Sequence, residues 1–352
     1  MKKYSNAYFA ASNSSCGFIS YFNKIFSCEE LNKIYILKGG PGTGKSHLMS
    51  YIGKTADKLG YNTEYFLCSS DPGSLDGIII PELKTAIIDG TSPHMTDPIY
   101  PGAVEEIINL GEFFNVEMLE EQREKIISLI NAKKELYRRA YTFLGCAGSL
   151  QREYDSTVCP YVLYQKMSDY ISRLCRRVPT LQQYKENVRI TKAYSTDGVV
   201  TLDTFYENAA ERFVIKDKYR ISGVFFLQLL NKLKEKNQAV TVSYCPDTPE
   251  RIDGIYLPDS KISFTIMMPN EEKSGKIINM DRFIKNDSIS VCKKRLRFIQ
   301  NAHTSVLNEA LSYLAAVKAL HAETEDIYIR AMDFERKERF ERKLSKRIFD
   351  KR

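Results

Sequence analysis

The clearest candidate for a chemical function is the segment at positions 39–46, which reads Gly-Gly-Pro-Gly-Thr-Gly-Lys-Ser. Glycines let a backbone turn with positive φ and direct its N–H groups at phosphate oxygens. Lys45 at the end of such a loop could reach the β- and γ-phosphates of a nucleotide, and the Ser46 hydroxyl could bind Mg²⁺. The segment is a complete Walker A motif and predicts nucleotide binding.

The surrounding elements fit this interpretation. Residues 34–37 are apolar and predict a buried strand, and apolar residues recur at helical spacing after position 47. A helix that begins at the loop adds favourable partial charge for an anion, which makes an accidental match of a glycine-rich turn the weaker alternative. The predicted cofactor-binding residues are Gly39, Gly40, Pro41, Gly42, Thr43, Gly44, Lys45, Ser46 and His47.

Asp89 is the second predicted metal ligand, beside Ser46. It ends the apolar segment TAIID, and a carboxylate at the end of such a strand can reach the Mg²⁺ shell next to the phosphate loop. A turn or cap role is the alternative for an aspartate in this place. No glutamate follows Asp89, so the sequence shows no complete set of residues for activating water.

Further acids are expected on loops at strand ends, at Asp71, Asp76 and Asp97. Asp71 could orient water or a substrate hydroxyl, which makes it a catalytic candidate together with Lys45 and Asp89. Asp76 has a counterpart in the second half of the chain, which favours a structural turn. His94 lies in a predicted loop and could contact a phosphate or help to position a nucleophile, and a surface residue without function is the alternative.

The chain contains a long internal repeat. Residues 68–84 and 245–261 are identical at seven of seventeen positions, with a constant offset of 177 and no gap. The second copy lacks the glycine loop and reads DKYRISGV from Asp217, so it lacks the glycines and the Lys-Ser pair. Thr248 and Ile266 stand where the first copy has Asp71 and Asp89. The second half is therefore predicted to keep the fold and to have lost the nucleotide.

Three strings, LKGGPGTGKS, CSSDPGSLDGIIIP and IIDGTSPHMTDPIYPGAVEEIINLGEFF, resemble an uncharacterised family of bacterial tandem P-loop ATPases that are also described as nucleotide-kinase-like. The resemblance covers nearly the whole chain. It implies two P-loop NTPase modules in one polypeptide. Members of that family often have an intact second phosphate loop, whereas this sequence does not.

The predicted fold is α/β, with two repeated P-loop NTPase modules built of mainly parallel sheets flanked by helices. The predicted boundaries are 1–185 for the module with the intact loop and 186–352 for the module with the degenerate loop. Helical periodicity at about 116–180 and 290–350 predicts insertions that could form a lid or bind a protein partner. The tail at 331–352 is expected to be an amphipathic helix packed on its own module, and binding to nucleic acid or to an anionic membrane surface is the weaker alternative.

Composition excludes several other classes of protein. The 352 residues carry 51 Lys+Arg and 44 Asp+Glu, and the tail alone supplies an excess of four of the net charge of +7. A balance this weak makes nucleic acid an unlikely partner. The eight cysteines form no C-x-x-C pair, the four histidines are scattered, and no apolar run is long enough to cross a membrane. A cytoplasmic protein without zinc is expected.

These features favour a slow ATPase that requires ATP and Mg²⁺ and has one competent site. No base-reading motif such as N-K-x-D is present, so ATP is preferred to GTP only because it is the commoner nucleotide. Two alternatives stay open. A kinase would transfer the γ-phosphoryl group to a nucleotide or another small molecule, and a nucleotide-gated interaction protein would bind a partner without significant turnover.

Overall fold

The computed structural model describes residues 4–268 and 271–350. Its strands are β1 Ala7–Phe9, β2 Ala11–Ser14, β3 Gly17–Ser20, β4 Lys33–Lys38, β5 Glu64–Leu67, β6 Leu75–Ile80, β7 Thr85–Asp89, β8 Glu105–Asn109, β9 Lys185–Val188, β10 Lys192–Ser195, β11 Gly198–Thr201, β12 Glu211–Lys216, β13 Ala239–Tyr244, β14 Ile252–Leu257, β15 Ile262–Ile266 and β16 Lys276–Asn279. Its α-helices are α1 Phe22–Ile25, α2 Lys45–Lys58, α3 Val116–Glu121, α4 Arg123–Val158, α5 Tyr164–Cys175, α6 Thr204–Glu207, α7 Ser222–Glu235, α8 Asn286–Ile289, α9 Lys293–Arg330 and α10 Phe334–Phe349.

Two six-stranded sheets have the same strand order. The first runs β1-β5-β6-β7-β4-β8 and the second runs β9-β13-β14-β15-β12-β16. In each sheet three neighbouring pairs are parallel, and the two pairs made by β6, or by its counterpart β14, are antiparallel. The predicted α/β class is confirmed, with sheets that are mixed rather than wholly parallel.

The repeated segment explains the antiparallel strands. Residues 81–84 join β6 to β7, and 258–261 join β14 to β15. Each connection begins with a proline and ends with a lysine at positive φ, at Lys84 (45°) and Lys261 (48°). A connection of four residues can join antiparallel strands, whereas a parallel pair needs a long crossover. The repeat therefore encodes the same hairpin twice.

A third, antiparallel sheet joins the two halves. It consists of the hairpins β2–β3 and β10–β11, which meet where Asn13 pairs with Tyr194. The Asn13 side chain also donates a hydrogen bond of 2.8 Å to the Tyr194 carbonyl, and both residues are buried. The halves thus share a sheet in addition to their helical contacts.

The longest helices, α4 and α9, pack against each other in antiparallel orientation. Lys125 near the start of α4 lies 2.8 Å from Glu323 near the end of α9, and at the other end Arg295 pairs with Glu153. The centre of the pair is closed by a small apolar cluster of Ala140, Leu144, Tyr194, Ala310 and Leu314. With 36 and 38 residues, each helix is about 55 Å long, enough to carry the chain from one half to the other.

Because α4 and α9 each extend from one half to the other, each half packs against the last helix of the opposite half. In the first half, Asn115 and Phe113 form backbone hydrogen bonds with Ala331 and Asp333, just before α10. The Phe113 and Phe340 rings then lie 5.9 Å apart. In the second half, α5 packs on α7 in the equivalent way. The expected helices are confirmed, but the prediction that the tail packs on its own module is wrong, since long-range pairing leaves no local trace in the sequence.

No helix among the described residues combines the length and the apolar character that crossing a membrane requires.

The centre of the α4–α9 pair should be sensitive to cavities. Leu314 is fully buried there, so Leu314→Ala is expected to lower the free energy of unfolding by about 2–5 kcal/mol in urea denaturation. The control is Leu227→Ala on the exposed side of α7, which should change it by no more than about 0.5 kcal/mol. Equal effects of the two substitutions would contradict this packing.

Candidate functional site

The glycine loop, residues 39–44, connects β4 to α2. Gly42 and Gly44 have φ of 74° and 77°, the left-handed region that residues with a Cβ atom rarely adopt. Gly44 directly precedes the first residue of the 14-residue helix α2. The backbone thus turns at the carboxyl end of a buried strand and presents the N-terminus of a helix, an arrangement that favours anions.

Lys45 is held at the loop by three oxygen atoms. Its ammonium nitrogen donates hydrogen bonds to the Gly39 and Gly40 carbonyls at 2.9 and 2.8 Å. It also lies 3.6 Å from Asp89 Oδ2, and both side chains are largely buried. Burial raises the pKa of Asp89, and the positive charge of Lys45 opposes this shift only in part. An anion that binds at the loop would have to take the place of some of these partners.

Ser46, which follows Lys45 in the chain, and Asp89, which pairs with Lys45, supply oxygen donors. The Ser46 hydroxyl accepts a hydrogen bond of 3.0 Å from the Leu75 backbone, and Asp89 Oδ1 accepts two from Thr91. Oxygen ligands are those that Mg²⁺ prefers, and one or two of them suffice where phosphate and water complete its shell. No cluster of three or more His, Cys, Asp or Glu residues suited to a metal ion occurs among residues 4–268 and 271–350.

Asp71 lies in the turn after β5, as predicted. Its carboxylate accepts hydrogen bonds from Ser74 Oγ at 2.7 Å and the Gly73 backbone at 3.3 Å. The preceding residue, Ser70, is bonded to both halves. Tyr137 of α4 donates to its hydroxyl at 3.1 Å, and Thr196 donates to its carbonyl at 2.8 Å. The turn is therefore fixed against α4 and against the β10–β11 hairpin of the third sheet.

Asp76 and His94 differ from the prediction. Asp76 lies inside β6 instead of in a loop, and His94 is buried. The His94 Nε2 atom is 3.0 Å from the Asp76 carboxylate, and its ring stacks on Phe22 at 4.3 Å. Burial lowers the pKa of His94, but Asp76 more than offsets this and the net shift is upward. The prediction of a surface residue is therefore wrong, whereas a role of His94 toward a phosphate or a nucleophile stays a prediction. Sequence spacing could not reveal this buried pair.

Asp97, the last of the predicted loop acids, is exposed, and its carboxylate lies 3.2 Å from the Lys38 ammonium group. Lys38 also donates hydrogen bonds to the Gly90 and Thr96 carbonyls at 2.9 and 2.8 Å. The lysine at the end of β4 therefore secures the loop that follows Asp89.

The second half covers the glycine loop with the end of α9. A Cβ atom at Gly40 would lie only 2.8 Å from the Tyr328 ring, and one at Gly42 only 2.7 Å from the Glu325 carbonyl. Glycine at these positions therefore serves close packing as well as turning. The sequence analysis missed Tyr328 and Glu325, which are about 290 positions away along the chain.

His47 contacts α10 through a buried ion pair. Lys337 and Glu341 are 2.5 Å apart with side chains only 2% and 4% exposed. The His47 ring nitrogen Nδ1 lies 3.3 Å from Glu341 and 3.4 Å from Lys337, while most of that side chain faces solvent. A Cβ atom at Gly44 would lie 2.6 Å from the Lys337 ammonium group. The contacts of His47 are thus with α10, and its predicted role toward a nucleotide stays a prediction.

The second loop, residues 217–221, also joins a strand to a helix N-terminus, but it does so without glycines. It has five residues between β12 and α7, whereas six separate β4 from α2. The Asp217 carboxylate accepts hydrogen bonds from the Ile221 and Ser222 N–H groups at 2.9 and 2.6 Å. The chain's own carboxylate thus takes the amide donors at the N-terminus of α7.

No protein-family profile, curated protein or solved structure matches this chain.

The Lys337–Glu341 pair should hold α10 on the glycine loop. Removal of one partner leaves a buried charge unpaired, so Lys337→Ala is expected to lower the free energy of unfolding by about 3–5 kcal/mol. Amide hydrogen exchange in the first turn of α2 should accelerate. The matched control is Arg342→Ala, which breaks the exposed i,i+4 pair with Glu338 on the same helix and should cost no more than about 1 kcal/mol. Equal costs would contradict this role.

Proposed function

We propose that this protein is a Mg²⁺-dependent, ATP-binding P-loop NTPase with one competent site at residues 39–46, and that it hydrolyses ATP slowly. The observation that carries the proposal is the combination of the glycine loop at positive φ, the helix N-terminus behind it and Lys45 held at its mouth. Phosphate oxygens are the ligands that such an arrangement of amide donors and one cation would bind best.

The roles of the residues follow from their chemistry. The N–H groups of the loop and the first turn of α2 would bind phosphate oxygens, and Lys45 would exchange the Gly39 and Gly40 carbonyls for them. Ser46 and Asp89 would hold Mg²⁺. When bound, the metal ion neutralises charge on the phosphates. Asp89 already lies 3.6 Å from Lys45, which keeps the carboxylate and the cation in one site.

The second loop supports a single site. A phosphate at the N-terminus of α7 would have to displace the Asp217 carboxylate from the Ile221 and Ser222 amides, and it would be repelled by the same charge. The second half would then act as a scaffold. We include in this proposal that the chain is related to the tandem P-loop family that its sequence resembles, and that it differs from many members by the loss of the second site.

A nucleotide-gated interaction protein is the second candidate. The observation that favours it is the close cover of Tyr328, Glu325 and the Lys337–Glu341 pair over the glycine loop. A nucleotide could enter only if this cover moved, which would couple binding to the helices of the second half. In that case Mg-ATP should accelerate hydrogen exchange in α10 without measurable phosphate release.

Lys45→Ala tests the site directly. A charge-assisted hydrogen bond contributes about 1.5–3 kcal/mol, so the affinity for Mg-ATP should fall by about 10-fold or more in titration calorimetry. Phosphate release should fall to background. Lys54→Ala, an exposed lysine on the same helix, is the control and should bind as the wild type does.

Three results would decide between the proposals. Binding and turnover that both depend on Lys45 would support the NTPase. Binding that depends on Lys45, without turnover even over long incubation, would favour the gated protein. A wild-type protein that binds neither ATP nor GTP in the presence of Mg²⁺ would contradict both.

A further inference from the structure

One face of α9 runs from the glycine loop toward the turn that contains Asp71. Lys318, His321, Glu325 and Tyr328 follow one another at spacings of three, four and three, so they share a face of the helix. Glu325 and Tyr328 pack on the glycine loop. His321 lies one helical turn before Glu325, about 6 Å along the axis at 1.5 Å per residue.

The other end of this face is fixed beside Asp71. Lys318 forms an ion pair of 2.6 Å with Asp197, and the adjacent Thr196 donates hydrogen bonds to the Ser70 carbonyl from its backbone and its hydroxyl. Ser70 directly precedes Asp71. His321 therefore stands between the residues that contact the loop and the residues that hold the Asp71 turn.

Four charged groups from different elements act on His321. Burial lowers its pKa, and Lys133 of α4 lowers it further, with a smaller contribution from Lys45 in the same direction. Glu325 and Asp71 act in the opposite sense, but the net shift is downward from the ordinary value of 6.5. The imidazole is therefore neutral at pH 7 and can accept a proton.

The two halves can be compared residue by residue across the α4–α9 pair. An offset of 170 residues relates the contacts of one half to those of the other. It converts the bridge Phe114–Met332 into Ile284–Val162, and the ion pair Lys125–Glu323 into Arg295–Glu153. This offset places Gln151 of α4 at the position of His321. Gln151 faces the second loop, where its side chain accepts a hydrogen bond from Arg220.

Four residues around the first loop therefore have counterparts of different chemistry around the second loop. Lys45, Asp71, Asp89 and His321 correspond to Ser222, Thr248, Ile266 and Gln151, respectively. Glu325, in contrast, corresponds to Asp155 and keeps its charge. The half that has the phosphate loop is thus served by a histidine at this position, and the half that lacks the loop has a glutamine there.

We propose that His321, supplied by the second half, is the general base of the first site and that Asp71 orients the attacking water. This inference rests on the proposed NTPase function. A water oxygen bonds to the γ-phosphorus while the bond from that phosphorus to the β,γ-bridging oxygen breaks and ADP leaves. The proton of the water passes to His321 and afterwards to solvent, so no further reactant is required.

The test compares His321→Gln, which installs the residue of the second half, with the wild type. Single-turnover hydrolysis of Mg-ATP should slow by about 10²–10⁴-fold, the usual contribution of a general base. The Kd for Mg-ATP should change less than about 3-fold, because phosphate binding stays with the loop. Glu323→Gln, an exposed substitution two residues away, is the control and should leave the rate unchanged.

The pH profile separates a base from a packing residue. A protonated imidazole cannot accept a proton, so the wild-type rate should rise with pH through a pKa below 6.5 and level off near neutrality. In His321→Gln this acid limb should disappear from the residual rate. An unchanged rate, or an acid limb that persists in the variant, would overturn the inference while leaving nucleotide binding intact. Absence of nucleotide binding in the wild type would instead overturn the proposed function and the inference with it.

Discussion

The antiparallel pairing of α4 and α9 is the interaction on which the rest of the molecule depends. It closes around Ala140, Leu144, Ala310 and Leu314, where small and branched side chains let two long helices approach closely. Because each helix runs from contacts with one half to contacts with the other, the pairing delivers α10 to the glycine loop and α5 to α7 of the second half. The proposed nucleotide site is therefore built from segments about 290 residues apart.

The N-termini of α2 and α7 both leave amide donors unpaired within the helix, but the two halves place different groups beside them. A helix N-terminus leaves amide hydrogens without partners and carries partial positive charge. At α7 the chain satisfies these donors with Asp217. At α2 the glycine loop has no such carboxylate, and a lysine stands nearby instead. The N-terminus of α7 thus has an internal carboxylate as its partner, whereas we propose that the N-terminus of α2 binds an external anion.

Local features of the sequence were sufficient to predict the loop, the strand that ends at Asp89 and the helices after position 116. Each of these depends on residues within a few positions of one another. The buried pairs Asp76–His94 and Lys337–Glu341 could not be predicted, because charged residues are ordinarily exposed to solvent. The elements that bury these pairs also lie far from them along the chain. His321 was missed for the same reason. Charged groups that act on it, among them Lys133 and Asp71, lie far from it along the chain.

The exchange of terminal helices also has a consequence for how the protein is made. Everything that α10 contributes to the first half, including Lys337 beside Gly44, is encoded about 290 residues after the glycine loop. A ribosome will have completed the glycine loop, its strand and its helix long before it releases the helix that covers them. During synthesis the loop must therefore stand open until α10 has been made.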